Sequence, residues 1–145
     1  MTTIAKQYVT LTGTSNNFIA HLARPLVDVI KTDLVAASVS FEEGTSAPLY
    51  FVQSRNLGNG IRTPDDSKEF WRVVAQPLGG AVNLTRVDTY LEAARTIQDI
   101  DIVIVDASGY LLNTRSITLV IEVETIVKAP PSWLPPFDVP GARNR

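Results

Sequence analysis

The run from Thr96 to Ile126, TIQDIDIVIVDASGYLLNTRSITLVIEVETI, restricts what this chain can fold into more than any other stretch. Ile100, Ile102 and Ile104 fall on one side of an alternation, with Asp99, Asp101, Val103 and Val105 on the other. A period of two is what a strand with one buried face requires. Asp106-Ala107-Ser108-Gly109 follows. Its Asp side chain can bond forward to the backbone and its Gly can take positive φ, so the chain is expected to reverse there. Ile117, Leu119, Ile121 and Val123 then alternate with Thr118, Val120, Glu122 and Glu124, which predicts a second strand with an odd-numbered apolar face. The two strands are expected to be antiparallel neighbours. An isolated pair is marginal in water, so other segments must complete the sheet.

Those segments are available. Lys6 to Thr12 alternates and ends at the turn formers Gly13 to Asn17. Phe18 to Leu22 follows as a short strand that Arg24-Pro25 should stop, making a hairpin with the first. Val27 to Phe41 carries both periodicities. Val27, Ile30 and Leu34 recur as on a helix with Pro25 at its first turn, whereas Val35, Ala37, Val39 and Phe41 alternate as on a strand. Strand is the favoured reading, with a bulge near Leu34-Val35 to exchange the faces. Leu49 to Gln53 and Phe70 to Ala75 are further strands. Ser54 to Lys68 is a long loop with a small hairpin expected at Gly58-Asn59-Gly60. Thr85 to Arg95 breaks the pattern: Val87, Leu91 and Ala94 at helical spacing, behind a near capping box of Thr85 and Asp88, predict a short helix, with an irregular connection as the alternative. After Ile126 the chain becomes KAPPSWLPPFDVPGARNR, which holds most of its prolines. That composition favours extended polyproline-like segments and cannot continue a sheet. The expected organisation is an all-β domain over residues 1–127, about eight short strands in a two-sheet antiparallel β-sandwich or jelly roll, followed by a Pro-rich extension over 128–145. Trp133, Leu134 and Phe137 on that extension need a surface to cover, on this domain or on a neighbouring subunit.

At 145 residues the chain can bury roughly two thirds of its unfolded surface and needs no staple to fold. It has no cysteine, which excludes disulfides, thiolate metal sites and thiol nucleophiles. No apolar run approaches the roughly 20 residues of a membrane span, and no cleavable secretion signal is expected. A net charge of −2 with well-mixed signs gives no reason to expect direct nucleic-acid binding.

Candidates for chemistry are few. His21 is the single histidine and reads as a structural or surface residue, because a general base needs an orienting partner that no motif identifies. Asp65-Asp66 in the long loop could offer calcium ligands or contacts to a partner, although EF-hand spacing is absent. Asp99 and Asp101 read as solvent or interface residues. Phe70-Trp71 could stack on bases or sugars but fits a core strand better. Asn83-Leu84-Thr85 matches a glycosylation acceptor. No phosphate loop, nucleophile elbow or dinucleotide fingerprint occurs. The expectation is no catalytic residue, no cofactor and no metal: a binding or assembly module rather than an enzyme.

Two blocks of the chain resemble single jelly-roll capsid proteins of large icosahedral DNA viruses and their virophages, in particular the vertex (penton) and minor capsid proteins. The first is Phe18 to Leu22, then Pro25-Leu26-Val27-Asp28-Val29, then Asp33 to Val39, similar to the family's "proline, apolar, variable, valine" step and its "L-x-x-A-S-apolar" strand. The second is Ala94 to Ile102 with Val105 to Leu112 and the strand Ile117 to Val123. It is similar to the family's final hairpin, where "apolar-D-apolar" meets a "D-x-x-G-x-L" turn. At the end of the first block Ser40-Phe41-Glu42-Glu43 stands where the family form continues into Ile-Pro and an Asn-Tyr loop. The chain is too short for a double jelly roll. The resemblance therefore implies a single jelly-roll vertex protein of the virion that forms homopentamers and contacts the major capsid protein and other minor capsid proteins. Trp133, Leu134, Phe137, Asp65 and Asp66 are the candidate interface residues. A minor capsid protein at another position, or a carbohydrate-binding β-sandwich with Trp71, Tyr90 or Trp133 as stacking platforms, are the alternatives.

Overall fold

A computed structural model describes residues 2–45, 47–58, 60–77, 80–87 and 90–128. The described chain is all-β. Its strands are β1 (Thr2–Gly13), β2 (Asn17–Phe41), β3 (Leu49–Gln53), β4 (Ile61–Arg62), β5 (Glu69–Phe70), β6 (Arg72–Ala75), β7 (Asn83–Leu84), β8 (Arg95–Val105) and β9 (Thr114–Lys128). Seven of them form one antiparallel curled sheet in the order β1-β9-β2-β8-β3-β6-β7, and β4 and β5 make a separate two-stranded ribbon. No helix forms among the described residues, so none is long and apolar enough to cross a membrane.

The alternation in the key stretch does what it predicted for the core. Ile100, Ile102 and Ile104 of β8 and Ile117, Leu119, Ile121 and Val123 of β9 are all buried, in one cluster with Leu34, Val39, Tyr50, Val52, Trp71 and Val74. Trp71 lies in the core with its indole Nε1 donating to Thr32 Oγ1 at 3.0 Å, which satisfies the one polar atom that burial would otherwise strand.

The pairing departs from expectation in an instructive way. β8 and β9 are not neighbours, because β2 lies between them. The first part of β2 pairs with β8, from Asn17↔Val103 to His21↔Asp99, and the second part pairs with β9, from Lys31↔Glu124 to Phe41↔Thr114. Val29 is the pivot: it faces Arg95 on β8 and Thr125 on β9, and it is fully buried. β2 can serve both because it bends. Register shifts fall between His21 and Leu26 and between Leu26 and Val29, and Asp28 takes a left-handed backbone (φ 56°), a conformation that aspartate tolerates. Pro25 therefore does not end the strand. It sits on the bend, where no ladder donor is needed. The bulge expected near Leu34-Val35 is present, as a register shift between Leu34 and Ala36.

The hairpin expected between β1 and the strand after it is likewise not made. β1 pairs along its whole length with β9, from Thr2↔Lys128 to Gly13↔Ile117, and no strand among the described residues pairs with its other edge. Residues 85–87 and 90–94 are irregular rather than helical. Their backbone donors go to strands instead: Thr85 N–H to the Val73 carbonyl and Leu91 N–H to that of Ile30. Asp88, the second half of the expected capping box, lies outside the described residues. The long loop does hold a small two-stranded ribbon, Ile61↔Phe70 and Arg62↔Glu69, but it turns through residues 63–68 and not at the expected Gly58-Asn59-Gly60, whose Asn59 lies outside the described residues.

Candidate functional site

Where the first part of β2 runs beside β8, the residues that point away from the core line up in pairs. Asn17 faces Val103, Ile19 faces Asp101 and His21 faces Asp99. Opposed residues in an antiparallel pair hold their Cβ atoms about 5 Å apart, close enough for side chains to meet. His21 Nδ1 lies 2.6 Å from Asp99 Oδ1. Both side chains stay accessible, with exposures of 76% and 43%. The orienting partner that no motif could identify is thus supplied by a strand 78 residues further along the chain.

Asp101, one step away, does a different job. Its carboxylate accepts the backbone N–H of Arg55 at 2.9 Å, that of Asn56 at 3.1 Å and the Ser54 hydroxyl at 3.1 Å. Partial burial raises the affinity of this carboxyl for its proton. The three donors outweigh that and hold its pKa below the ordinary aspartate value. The turn 54–57 is pinned from the other side too. Leu57 is buried in the core, its carbonyl accepts from Thr32 Oγ1 at 2.7 Å, and Asn56 Nδ2 donates to the Asp99 carbonyl at 2.7 Å. The sheet face and the pinned turn enclose a solvent-open groove of about 620 Å³, lined also by Asn17, Ile19, Gln53, Glu69 and Val103. That lies within the range of small-molecule sites, roughly 300–1,000 Å³.

A second carboxylate on β2 is enclosed instead. Asp33 is 2% exposed and accepts from Arg72 Nε at 2.7 Å, from its neighbour Leu34 N–H at 2.9 Å and from Arg86 Nε. Arg72, itself buried, also donates to the carbonyls of Trp71 and Thr32. Burial holds the Arg72 pKa below its usual value, a fall that Asp33 offsets only in part, and the hydrogen bond to Asp33 raises that of Arg86. Around this centre Arg86 Nη2 and Lys6 Nζ each come within 3.9 Å of Glu122, and the Tyr8 hydroxyl donates to Glu122 at 3.1 Å. Among the described residues no buried side-chain nitrogen or oxygen lacks a partner.

The residues singled out from sequence are dispersed. Trp133, Leu134 and Phe137 lie outside the described residues. Asp65 turns its carboxylate back on its own loop, accepting from the Thr63 hydroxyl at 2.7 Å, the Ser67 hydroxyl at 2.8 Å and the Ser67 N–H at 3.1 Å, which lowers its pKa to about 2. Asp66 pairs with Arg62 at 3.3 Å. Neither reaches the groove, and no group of three metal-ligating side chains occurs among the described residues. Trp71 and Phe70 are buried and cannot stack on a ligand. Tyr90 is half exposed but carries the Lys31 ammonium over its ring, 5.4 Å from the centroid. Asn83 is exposed on β7.

Asn17, Gln53, Arg55 and Asn56 carry no signal in the sequence, because isolated polar side chains in turns or at a strand end belong to no motif. Only the pairing of β2 with β8 could have gathered them. No protein-family model matches the chain, and no curated protein matches it either.

Proposed function

We propose that this chain is a structural component of an icosahedral viral shell, a single jelly-roll protein that forms homopentamers at vertices and contacts the major capsid protein there. The observation that carries the reading is the divided pairing of β2. Divided at that bend, the strand order of the single sheet reads as β1, β9 and the second part of β2 on one side, and the first part of β2, β8, β3, β6 and β7 on the other. Successive long strands therefore alternate between the two groups, as the paired Greek keys of a jelly roll require.

The surface suits assembly. Among the described residues β1 has no partner on one edge of its twelve-residue length, and its Ile4 and Tyr8 are more than half exposed. Tyr110 and Leu111 stand out at the turn between β8 and β9. Apolar side chains of this kind, on a chain with no catalytic cluster among its described residues, favour self-association over turnover. A closed ring of identical copies joined head to tail needs no further contact type.

Native mass spectrometry of the purified chain tests the proposal, with and without the major capsid protein of the same particle. Pentamers, or a stable complex with that protein, are the expected result. A strict monomer that also ignores the major capsid protein would overturn it. Deleting residues 129–145, which carry Trp133, Leu134 and Phe137, should weaken association and leave the β-sheet circular dichroism unchanged. Unaltered assembly would remove the extension from the interface.

A further inference from the structure

We propose that residues 129–145 of one copy dock on the face of β1 and β9 that is turned away from the core of a neighbouring copy, an inference that rests on the assembly of copies proposed above. The register defines the surface. Ile4, Lys6 and Tyr8 share one face of β1, where they stand opposite Ile126, Glu124 and Glu122 of β9. The charges along this strip are paired: Lys6 and the Tyr8 hydroxyl with Glu122, and Lys31 with Glu124. Its apolar groups lie open. Ile4, Tyr8 and Tyr90, whose ring meets the Lys31 ammonium on the same face, are each more than half exposed among the described residues. Such a strip offers ring faces and C–H groups to a partner. Proline-rich segments are recognised by aromatic surfaces of this kind, since their preformed extended helix loses little freedom on docking.

The place where the described chain ends identifies the occupant. Lys128 pairs with Thr2, two residues from Ile4, so the extension leaves the sheet at one end of this strip. Its spacing fits. Ile4 and Tyr8 lie four residues apart on a strand, about 13 Å, and Trp133 and Phe137, four residues apart on a polyproline helix, would span about 12 Å. Leu134 and Phe137 are three residues apart, which is one turn of that helix and puts them on one side of it. Proline chemistry also decides between copies. Ala129 and Pro130 each precede a proline, which disfavours in both the helical region that a tight reversal uses. A chain leaving Lys128 is therefore carried about 9 Å past the strip before Ser132 can turn it. Trp133 and Leu134 then fall beyond their own copy's strip and within reach of the next.

The chain has no cysteine, so introduced thiols can pair only with each other. Full-length Tyr8→Cys and Phe137→Cys chains are mixed, with and without the major capsid protein, and oxidised gently. The expected result is a disulfide between the two chains, roughly tenfold more abundant than when Tyr110→Cys, exposed on the turn between β8 and β9, replaces Tyr8→Cys. A yield no higher than that control overturns the docking, as does a disulfide found only within one chain that carries both Tyr8→Cys and Phe137→Cys. Native mass spectrometry of the same samples reads the shell proposal separately. Pentamers without the mixed disulfide overturn the docking alone, and a mixed disulfide in an assembly of another copy number keeps the docking and removes the vertex ring. A second measurement needs no thiols. Tyr8→Arg should weaken association roughly tenfold, and deleting residues 129–145 from that variant should weaken it no further. Additive losses would overturn the contact.

Discussion

Asp33 and Asp99 both sit in cross-strand pairs on the side of the sheet turned away from the core, Asp33 beside Glu122 and Asp99 beside His21, yet they meet opposite fates. Asp33 is covered by the chain after β7 and held by two arginines, one of them buried. Asp99 touches one histidine and stays open to solvent. The contrast separates a charge that holds the fold from one that is free to meet a ligand. A buried ion pair is costly to break because its surviving partner is left uncompensated, whereas an exposed pair is worth little to stability. Chemistry available for binding is therefore to be sought at the second kind of site.

The largest expected effect breaks the first region. Asp33→Ala leaves Arg72 buried without its counter-charge and should cost about 3–5 kcal/mol in urea unfolding, enough to threaten folding. A loss under about 1 kcal/mol would show that the cluster contributes packing and not charge.

Next comes the turn that walls the groove. Asp101→Asn cannot accept at both oxygens and should lose about 1–3 kcal/mol. It should also raise the mobility of residues 54–57 in hydrogen exchange. The same carboxylate gives a pH signature. Its folded pKa lies below its unfolded one, so its contribution is fully present above the unfolded value and disappears as pH falls through the folded value. Stability of the native chain should thus fall with acid more steeply than that of Asp101→Asn, and parallel acid titrations would contradict this account.

The smallest effect belongs to the open pair. His21→Ala should change stability by no more than about 0.5 kcal/mol, because the side chain is largely exposed and its contact with Asp99 is open to solvent. A loss comparable to that of Asp33→Ala would erase the distinction between the two regions.

Much of this is legible in the sequence. The isoleucine rows of β8 and β9, the core position of Trp71 and the bulge after Leu34 all follow from local alternation and turn chemistry, which act over a few residues. The paired hairpins and the helix at 85–95 were misread for a common reason. Local pattern says which face of a segment is apolar and nothing about which strand lies beside it.

By itself the sequence determined that the chain is β, which residues face inward and that no thiol chemistry is possible, since periodicity and composition are properties of the chain alone. Only the tertiary structure decided that β2 bends at Val29 to divide β8 from β9. That bend brings His21 to Asp99, Asp101 to the turn at Arg55 and Arg72 to Asp33. These contacts join residues 39 to 78 positions apart. Their geometry is set by which strands can close a common core, a condition that no short window of residues contains.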